Sequence, residues 1–158
     1  MIRIEKLTPE NRKPVDDLIK EEWSGPMSVS RGRVLDTSVL PGFIALDDGK
    51  MCGAATYKID GDECELVTLN SLQERRGIGS ALINAVLDVA RENKCRRLWL
   101  ITTNDNTHAI RFYQRFGFSL RAVHINAMEE ARKLKPSIPL VGNDDIPILH
   151  EFEFEIIL

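Results

Sequence analysis

No apolar run in this 158-residue chain approaches the length needed to cross a bilayer, and the start, Met1-Ile2-Arg3-Ile4-Glu5-Lys6, carries no apolar leader. The expectation is a cytoplasmic protein with no membrane partner. Cysteine is scarce: Cys52, Cys64 and Cys95 are odd in number and far apart. That excludes a disulfide framework and any metal-ligand spacing, and points to a reducing context with buried, inert thiols and no metal. Excess positive charge is also missing. The net charge of −3 argues against a dedicated nucleic-acid binder. There are no repeats, low-complexity tracts or linkers. What remains is 43% apolar and 28% charged, the balance of a soluble globular protein of one domain, residues 1–158, with length enough for a true core.

The most informative stretch is Gln73-Glu74-Arg75-Arg76-Gly77-Ile78-Gly79-Ser80-Ala81-Leu82. It reads as a strand running into a glycine turn that opens an amphipathic helix. Two glycines two apart let backbone approach a ligand closely. The helix start offers unpaired N–H groups and a positive dipole end, which together suit a phosphate. Two familiar phosphate loops are excluded. No Lys follows Gly79, as a Walker A loop requires, and Leu82 stands where a dinucleotide fingerprint needs its third glycine.

Elsewhere the pattern alternates between strands and helices. Ile2 and Ile4 alternate with Arg3 and Glu5 in a first strand. Thr8-Pro9 is placed to start a helix that turns Val15, Leu18, Ile19 and Trp23 inward and ends at Ser24-Gly25-Pro26. Met27 to Pro41 lacks periodicity and reads as loop or short helix. Phe43–Leu46, Met51–Ile59 and Glu63–Asn70, joined by the turns at Asp47–Lys50 and Asp60–Asp62, read as three antiparallel strands. Ile78, Ala81, Leu82, Ala85, Val86 and Val89 recur at helical spacing. Arg97–Thr102 reads as a central strand buried on both faces. Asn104 or Asp105 is placed to cap the next helix, Phe118–Asn126 forms a strand, and Glu129–Lys135 a short helix stopped by Pro136. Glu151-Phe152-Glu153-Phe154-Glu155-Ile156 alternates strictly, which predicts a strand closing the sheet with its glutamates toward solvent.

The segment Asn106-Thr107-His108-Ala109-Ile110-Arg111-Phe112-Tyr113-Gln114-Arg115-Phe116-Gly117-Phe118 completes a pair of motifs. With the glycine turn, in this order and at this separation, it resembles the signatures of the GCN5-related N-acetyltransferases, the GNAT superfamily. Those signatures are Gln or Arg, two spacers, Gly, one spacer, Gly or Ala; then Asn, two spacers, Ala, two spacers, apolar-Tyr, three spacers, Gly-Phe. Every fixed position of the second is present; in the first, Glu74 departs from Gln or Arg. The motifs cover Leu66 to Phe118, and the element order matches along nearly the whole chain. The resemblance implies an α/β (α+β) fold. Its central sheet is mixed and mostly antiparallel, with helices on both faces and a splayed parallel pair, here Glu63–Asn70 and Arg97–Thr102.

It further implies acetyl transfer from acetyl-CoA to the primary amine of a small molecule, by direct attack in a ternary complex. Val67, Thr68 and Leu69 pair with the pantetheine arm, with the Leu69 N–H on the thioester carbonyl. Glu74, Arg75, Arg76, Gly77, Ile78, Gly79 and Ser80 form the pyrophosphate turn, and Asn106 and Tyr113 also contact the cofactor. Spacing alone reads Tyr113 as a core aromatic, whereas the resemblance makes it the acid that protonates the leaving thiolate. Glu65 stands where many members carry a catalytic glutamate, and Glu63 shares its face; the alternative is a pair of solvent-facing carboxylates. His124 and His150 sit on late strands near the acceptor side, although a lone strand histidine is more often structural, and His108 reads as exposed.

Two irregular stretches, Trp23–Pro41 and Pro136–Pro147, are placed to form the acceptor pocket. Arg31 and Arg33 suit an acidic group on the acceptor, or are solvated; Asp144 and Asp145 suit a cationic one. The alternatives to a small-amine enzyme are a Lys or N-terminal protein acetyltransferase, a non-catalytic acyl-CoA-binding domain, and an ATP-preferring nucleotide binder. A homodimer formed through Phe152, Phe154 and Ile156 is a further expectation.

Overall fold

The computed structural model describes residues 1–72 and 77–158. Its elements in chain order are β1 (Ile2–Lys6), α1 (Lys13–Trp23), β2 (Met27–Ser30), β3 (Arg33–Asp36), β4 (Gly42–Asp47), β5 (Lys50–Asp60), β6 (Glu63–Ser71), α2 (Ile78–Glu92), β7 (Arg97–Thr103), α3 (Thr107–Phe116), β8 (Ser119–His124), α4 (Ala127–Leu134) and β9 (Glu151–Ile157). This is the expected mixed α/β fold, its main sheet mostly antiparallel with β6 and β7 as the parallel pair. The chain divides into two compact units. The first is Met1–Met27, Asp36–Leu98 and Leu158; the second is Ser28–Leu35 and Trp99–Ile157.

In the first unit the strands lie in the order β1-β4-β5-β6, and β7 enters beside β6 through Arg97 and Leu98. Ile78, Leu82, Ile83, Val86, Leu87 and Ala90 form the buried stripe of α2. The helix lies against β5 because Gly53 has no side chain: a Cβ there would meet Ile78 Cγ2 at 2.7 Å and the Asn70 carbonyl at 2.8 Å. Val15 and Ile19 of α1 pack on Ile44 and Ala54. All three cysteines are free and buried, as the composition implied.

Helix α1 starts later than Thr8-Pro9 suggested. Thr8 instead closes a turn with Asn11, accepting from the Asn11 and Arg12 N–H groups, and Pro14 is the proline of the first helical turn. At the other end Trp23 is 40% exposed rather than inward. The helix stops where Ser24 turns left-handed and the Gly25 N–H bonds back to the Lys20 carbonyl.

Within the second unit the order is β7-β9-β8. The last strand therefore does not close the sheet but lies between two others. This overturns the solvent-facing glutamates: Glu151 and Glu153 are 2% and 5% exposed. Phe154 is buried as well, so Phe152, Phe154 and Ile156 lie on an interior strand rather than an edge that could pair with a second copy. The stretch from Met27 is also ordered differently from expectation, as the hairpin β2–β3 followed by one 3-10 turn, Thr37–Val39. Its two-residue turn places Arg31 at φ 52° and Gly32 at φ 73°, the left-handed pair that matches strand twist. The cap of α3 is Asn106, whose Oδ1 accepts from the Ala109 N–H at 3.4 Å, rather than Asn104 or Asp105.

Candidate active site

Two sets of residues carry the expected chemistry, one in each unit. In the first, β6 pairs antiparallel with β5 until its register shifts: Thr56 faces Thr68, while Tyr57 faces Leu66. Val67 is thus the extra residue of a β-bulge, a feature that interrupts the ladder and re-aims backbone groups. Beside it the Thr56 and Thr68 hydroxyls, both buried, are 2.6 Å apart and pin the strands at the irregularity. Leu69 follows, in register with Ala55. No periodicity in Glu63–Asn70 announces the bulge; only the pairing shows it.

Beyond β6, Gly77 opens α2 at φ 70°, and a Cβ there would meet nothing among the described residues. Among the described residues no side chain caps this helix, and no acidic residue occupies its first turn. The first N–H groups and the positive dipole end of a helix are features that suit an anion. Glu74, Arg75 and Arg76 lie outside the described residues.

Glu63 and Glu65 part company. Glu63 pairs with Arg97 and, at 3.1 Å, with Arg96. The hydrogen bond from Arg97 holds its carboxyl below the usual glutamate range. Glu65 is 3% exposed, so it is not a solvent-facing carboxylate. Next to it burial pushes the Cys64 thiol up to about 12.

In the second unit α3 presents Tyr113. The Tyr113 carbonyl accepts from the N–H groups of Gly117 and Phe118, and Gly117 takes φ 131° to make that turn. The turn folds Phe118 beneath the tyrosine ring, with centroids 5.5 Å apart, and Phe154 lies 6.5 Å away. The three spacers between Tyr113 and Gly117 are one helical turn, so the motif is a C-cap that builds an apolar socket for its own tyrosine. Burial pushes the hydroxyl up to about 12.

Asp105, 4% exposed, is a residue sequence reasoning assigned to a different task. It accepts from Thr103 Oγ1 at 2.5 Å and from the Asn143 backbone and side-chain nitrogens, each at 3.1 Å. It ties the long Pro136–Pro147 connection to the entrance of α3, and Gly142 is needed there, since a Cβ would fall 2.1 Å from Asp105 Oδ2. Asn104 adds to the tie, accepting from the Leu149 and His150 N–H groups at 2.9 Å.

Of the histidines, His150 Nδ1 accepts from the Asn126 N–H and His108 is exposed. His124 Nε2 lies 3.0 Å from Glu153 Oε1. Arg31 and Arg33 are not simply solvated: both guanidinium carbons stand over the Trp99 ring, 5.1 and 5.3 Å from its centroid. Asp144 and Asp145 are exposed. Among the described residues no group of three or more His, Cys, Asp or Glu side chains is arranged to hold a metal ion.

The first unit thus holds a bulged strand followed by a glycine-opened helix, and the second a tyrosine socketed at a helix end. Residues 4–118 match the profile of the acetyltransferase (GNAT) family, and the chain belongs to that family. It is 44% identical over 140 residues to the protein YdhI of Bacillus subtilis (strain 168), covering 87% of each chain. Over 44 residues it is 43% identical to the spermine/spermidine N(1)-acetyltransferase of Bacillus subtilis (strain 168), which covers 27% of this chain and 29% of that protein. The fold is similar to that of a GNAT family acetyltransferase from Elizabethkingia anophelis with acetyl-CoA bound, at TM-score 0.73 and 18% identity, over 99% of this chain and 98% of that one.

Proposed function

We propose that this acetyltransferase moves the acetyl group of acetyl-CoA onto a primary amine of a small molecule, by direct attack in a ternary complex. The observation that carries the reading is the glycine-opened start of α2 at Gly77, which no side chain caps among the described residues, following the bulged β6 in sequence. The similarity to a spermine/spermidine acetyltransferase supports an amine acceptor. The tie between Asp105 and Asn143 supports a small one, because it holds the long connection against the body of its unit rather than leaving an open groove.

Acetyl-CoA supplies an activated acetyl group and departs as a thiol. The backbone N–H groups of Gly77, Ile78, Gly79 and Ser80 hold its pyrophosphate; Glu74, Arg75 and Arg76, outside the described residues, belong to the same motif, and the two arginines bring positive charge to it. Val67 and Thr68 pair with the pantetheine amides through backbone groups that the bulge releases. The Leu69 N–H donates to the acetyl carbonyl, where negative charge develops. Asn106 spends its Oδ1 on the α3 cap, which leaves its Nδ2 to donate to the cofactor arm. Glu65 accepts a proton from the acceptor's ammonium, directly or through water, so that the neutral amine attacks; Tyr113 gives its proton to the leaving sulfur as the C–S bond breaks and regains one, through water, from the nitrogen as the amide forms.

A thiol-release assay with acetyl-CoA, run against a panel of small amines and against peptides with free N-termini or lysines, tests the proposal. Turnover with small amines is the expected result. Turnover confined to peptides would replace the acceptor class, and acetyl-CoA binding with no turnover on any amine would make the chain a binding domain.

A further inference from the structure

On the glutamate side of β9 the second unit buries charge that the acetyl-transfer chemistry above does not use. Glu151, Glu153 and Trp99 are 2%, 5% and 5% exposed. Buried carboxylates are costly unless cations or hydrogen bonds answer them. His124 Nε2 stands 3.0 Å from Glu153 Oε1, and the tip of the β2–β3 hairpin adds two separable contacts. The Arg31 backbone N–H donates to Glu151 Oε1 at 3.1 Å. The Arg31 side chain reaches toward Glu153 Oε1, with its Nε 3.8 Å away, and lays its guanidinium over Trp99.

The two arginines of the tip are held very differently. Arg33 is fastened by its Nη2 to Ser30 Oγ at 3.0 Å and by its Nε to the Ser30 carbonyl at 3.3 Å. The Arg31 guanidinium stands beyond hydrogen-bond distance of Glu153, and its side chain is 43% exposed. Since the hairpin is anchored by a main-chain bond, the Arg31 side chain can leave without releasing the loop.

We propose that the niche of Trp99, Glu151 and Glu153 is an ammonium subsite, occupied by the Arg31 guanidinium until a second cationic group of the acceptor displaces it. The niche combines an indole face, over which Arg33 also stands, with buried carboxylates, both of which attract cations, and Arg31 is the guanidinium there that no side-chain hydrogen bond fastens among the described residues. Exchanging one cation for another keeps the charge of the cluster balanced. An anion bound to Arg31 would instead draw on a guanidinium already answering Glu153, and would bring a third negative charge beside two buried ones. The ligand is therefore an amine acceptor carrying a second ammonium, a diamine or polyamine rather than an amino acid. This rests on the amine-acetylating reading, whose failure is told apart by using two separate readouts.

Trp99 is one of two tryptophans, so a Trp23→Phe background reports on it alone. Putrescine, butylamine and γ-aminobutyrate are titrated while Trp99 emission is followed, and the same amines are assayed for thiol release from acetyl-CoA. A saturable emission change with putrescine at concentrations where butylamine gives none is expected. Glu153→Gln should raise the putrescine dissociation constant about 10-fold or more, the scale of one lost charge-assisted contact. Arg31→Asn, which tolerates the left-handed tip and keeps the main-chain bond, should lower that constant by removing the competitor. Equal responses to putrescine and butylamine would overturn the subsite. So would tight γ-aminobutyrate binding that Arg31→Asn abolishes, which would mark an anion site. Absence of thiol release with every amine would overturn the acetyl-transfer reading, while the emission titration still decides the subsite.

Discussion

Tyr113 has a hydroxyl pushed up to about 12, which makes a weak acid weaker. The partner it would serve changes in the same direction. A free thiol near 8.5 rises when buried, as Cys64 does in this protein, to about 12. A thiolate expelled into a desolvated site needs a proton, and a phenol of matched affinity supplies it while staying protonated at neutral pH. Tyr113→Phe is expected to lower kcat by about 10²- to 10⁴-fold, with acetyl-CoA affinity retained, measured by steady-state kinetics and calorimetric titration. Glu63 supports the fold instead. Its pKa is lowered in the folded state by the bond from Arg97, so its contribution is present above the unfolded glutamate value and is lost as pH falls through the folded one. Glu63→Gln should destabilise the protein at neutral pH by about 2 kcal/mol in urea unfolding, with the difference shrinking in acid below about pH 4. Tyr113 was legible in the sequence because one helical turn and a C-cap glycine are local features. The separate fates of Glu63 and Glu65 were not, because alternation puts both on one face and only the pairing of Glu63 with Arg96 and Arg97 tells them apart.

The approach of α2 to β5 depends on a position far from either motif. At Gly53 a methyl group would overlap Ile78 and the Asn70 carbonyl, so Gly53→Ala must shift the first turn of α2 or the end of β6. Overpacking of this kind costs about 1–3 kcal/mol. A lower melting temperature is expected together with weaker acetyl-CoA binding, since Ile78 belongs to the turn proposed to hold pyrophosphate. An unchanged dissociation constant would separate the turn from the cofactor. The Pro136–Pro147 connection depends on Asp105 in the same manner. Asp105→Ala removes the acceptor of three hydrogen bonds and should speed amide exchange at Asn143 while raising the acceptor KM. Helices and long strands were readable because each repeats its pattern over several turns or residues. The β2–β3 hairpin was not, since four-residue strands carry too few alternations, although Arg31-Gly32 is a turn sequence for a two-residue hairpin.

For the molecule as a whole, the order β7-β9-β8 turns the last strand in sequence into an interior one. That placement buries Glu151 and Glu153, brings Phe154 to Tyr113, and leaves β8 as the edge of its unit. A ligand that binds only the native state stabilises it by about 2.7 kcal/mol at 100 times its dissociation constant. Acetyl-CoA and CoA should raise the unfolding temperature accordingly, and ATP should not. Stabilisation by ATP alone would overturn the cofactor assignment.

Local chemistry in the chain was sufficient to specify the hairpin of β4 and β5, the amphipathic α2, the glycine turn, the tyrosine helix and the family they belong to. Each rests on residues within a few positions of one another, where helical period, strand alternation and turn conformation act directly. Tertiary structure alone decided that Val67 is a bulge, that Asp105 fastens a distant loop, and that Glu151 and Glu153 meet Arg31 instead of water. These depend on which strand lies beside which, a property set by the burial and pairing of segments far apart in sequence.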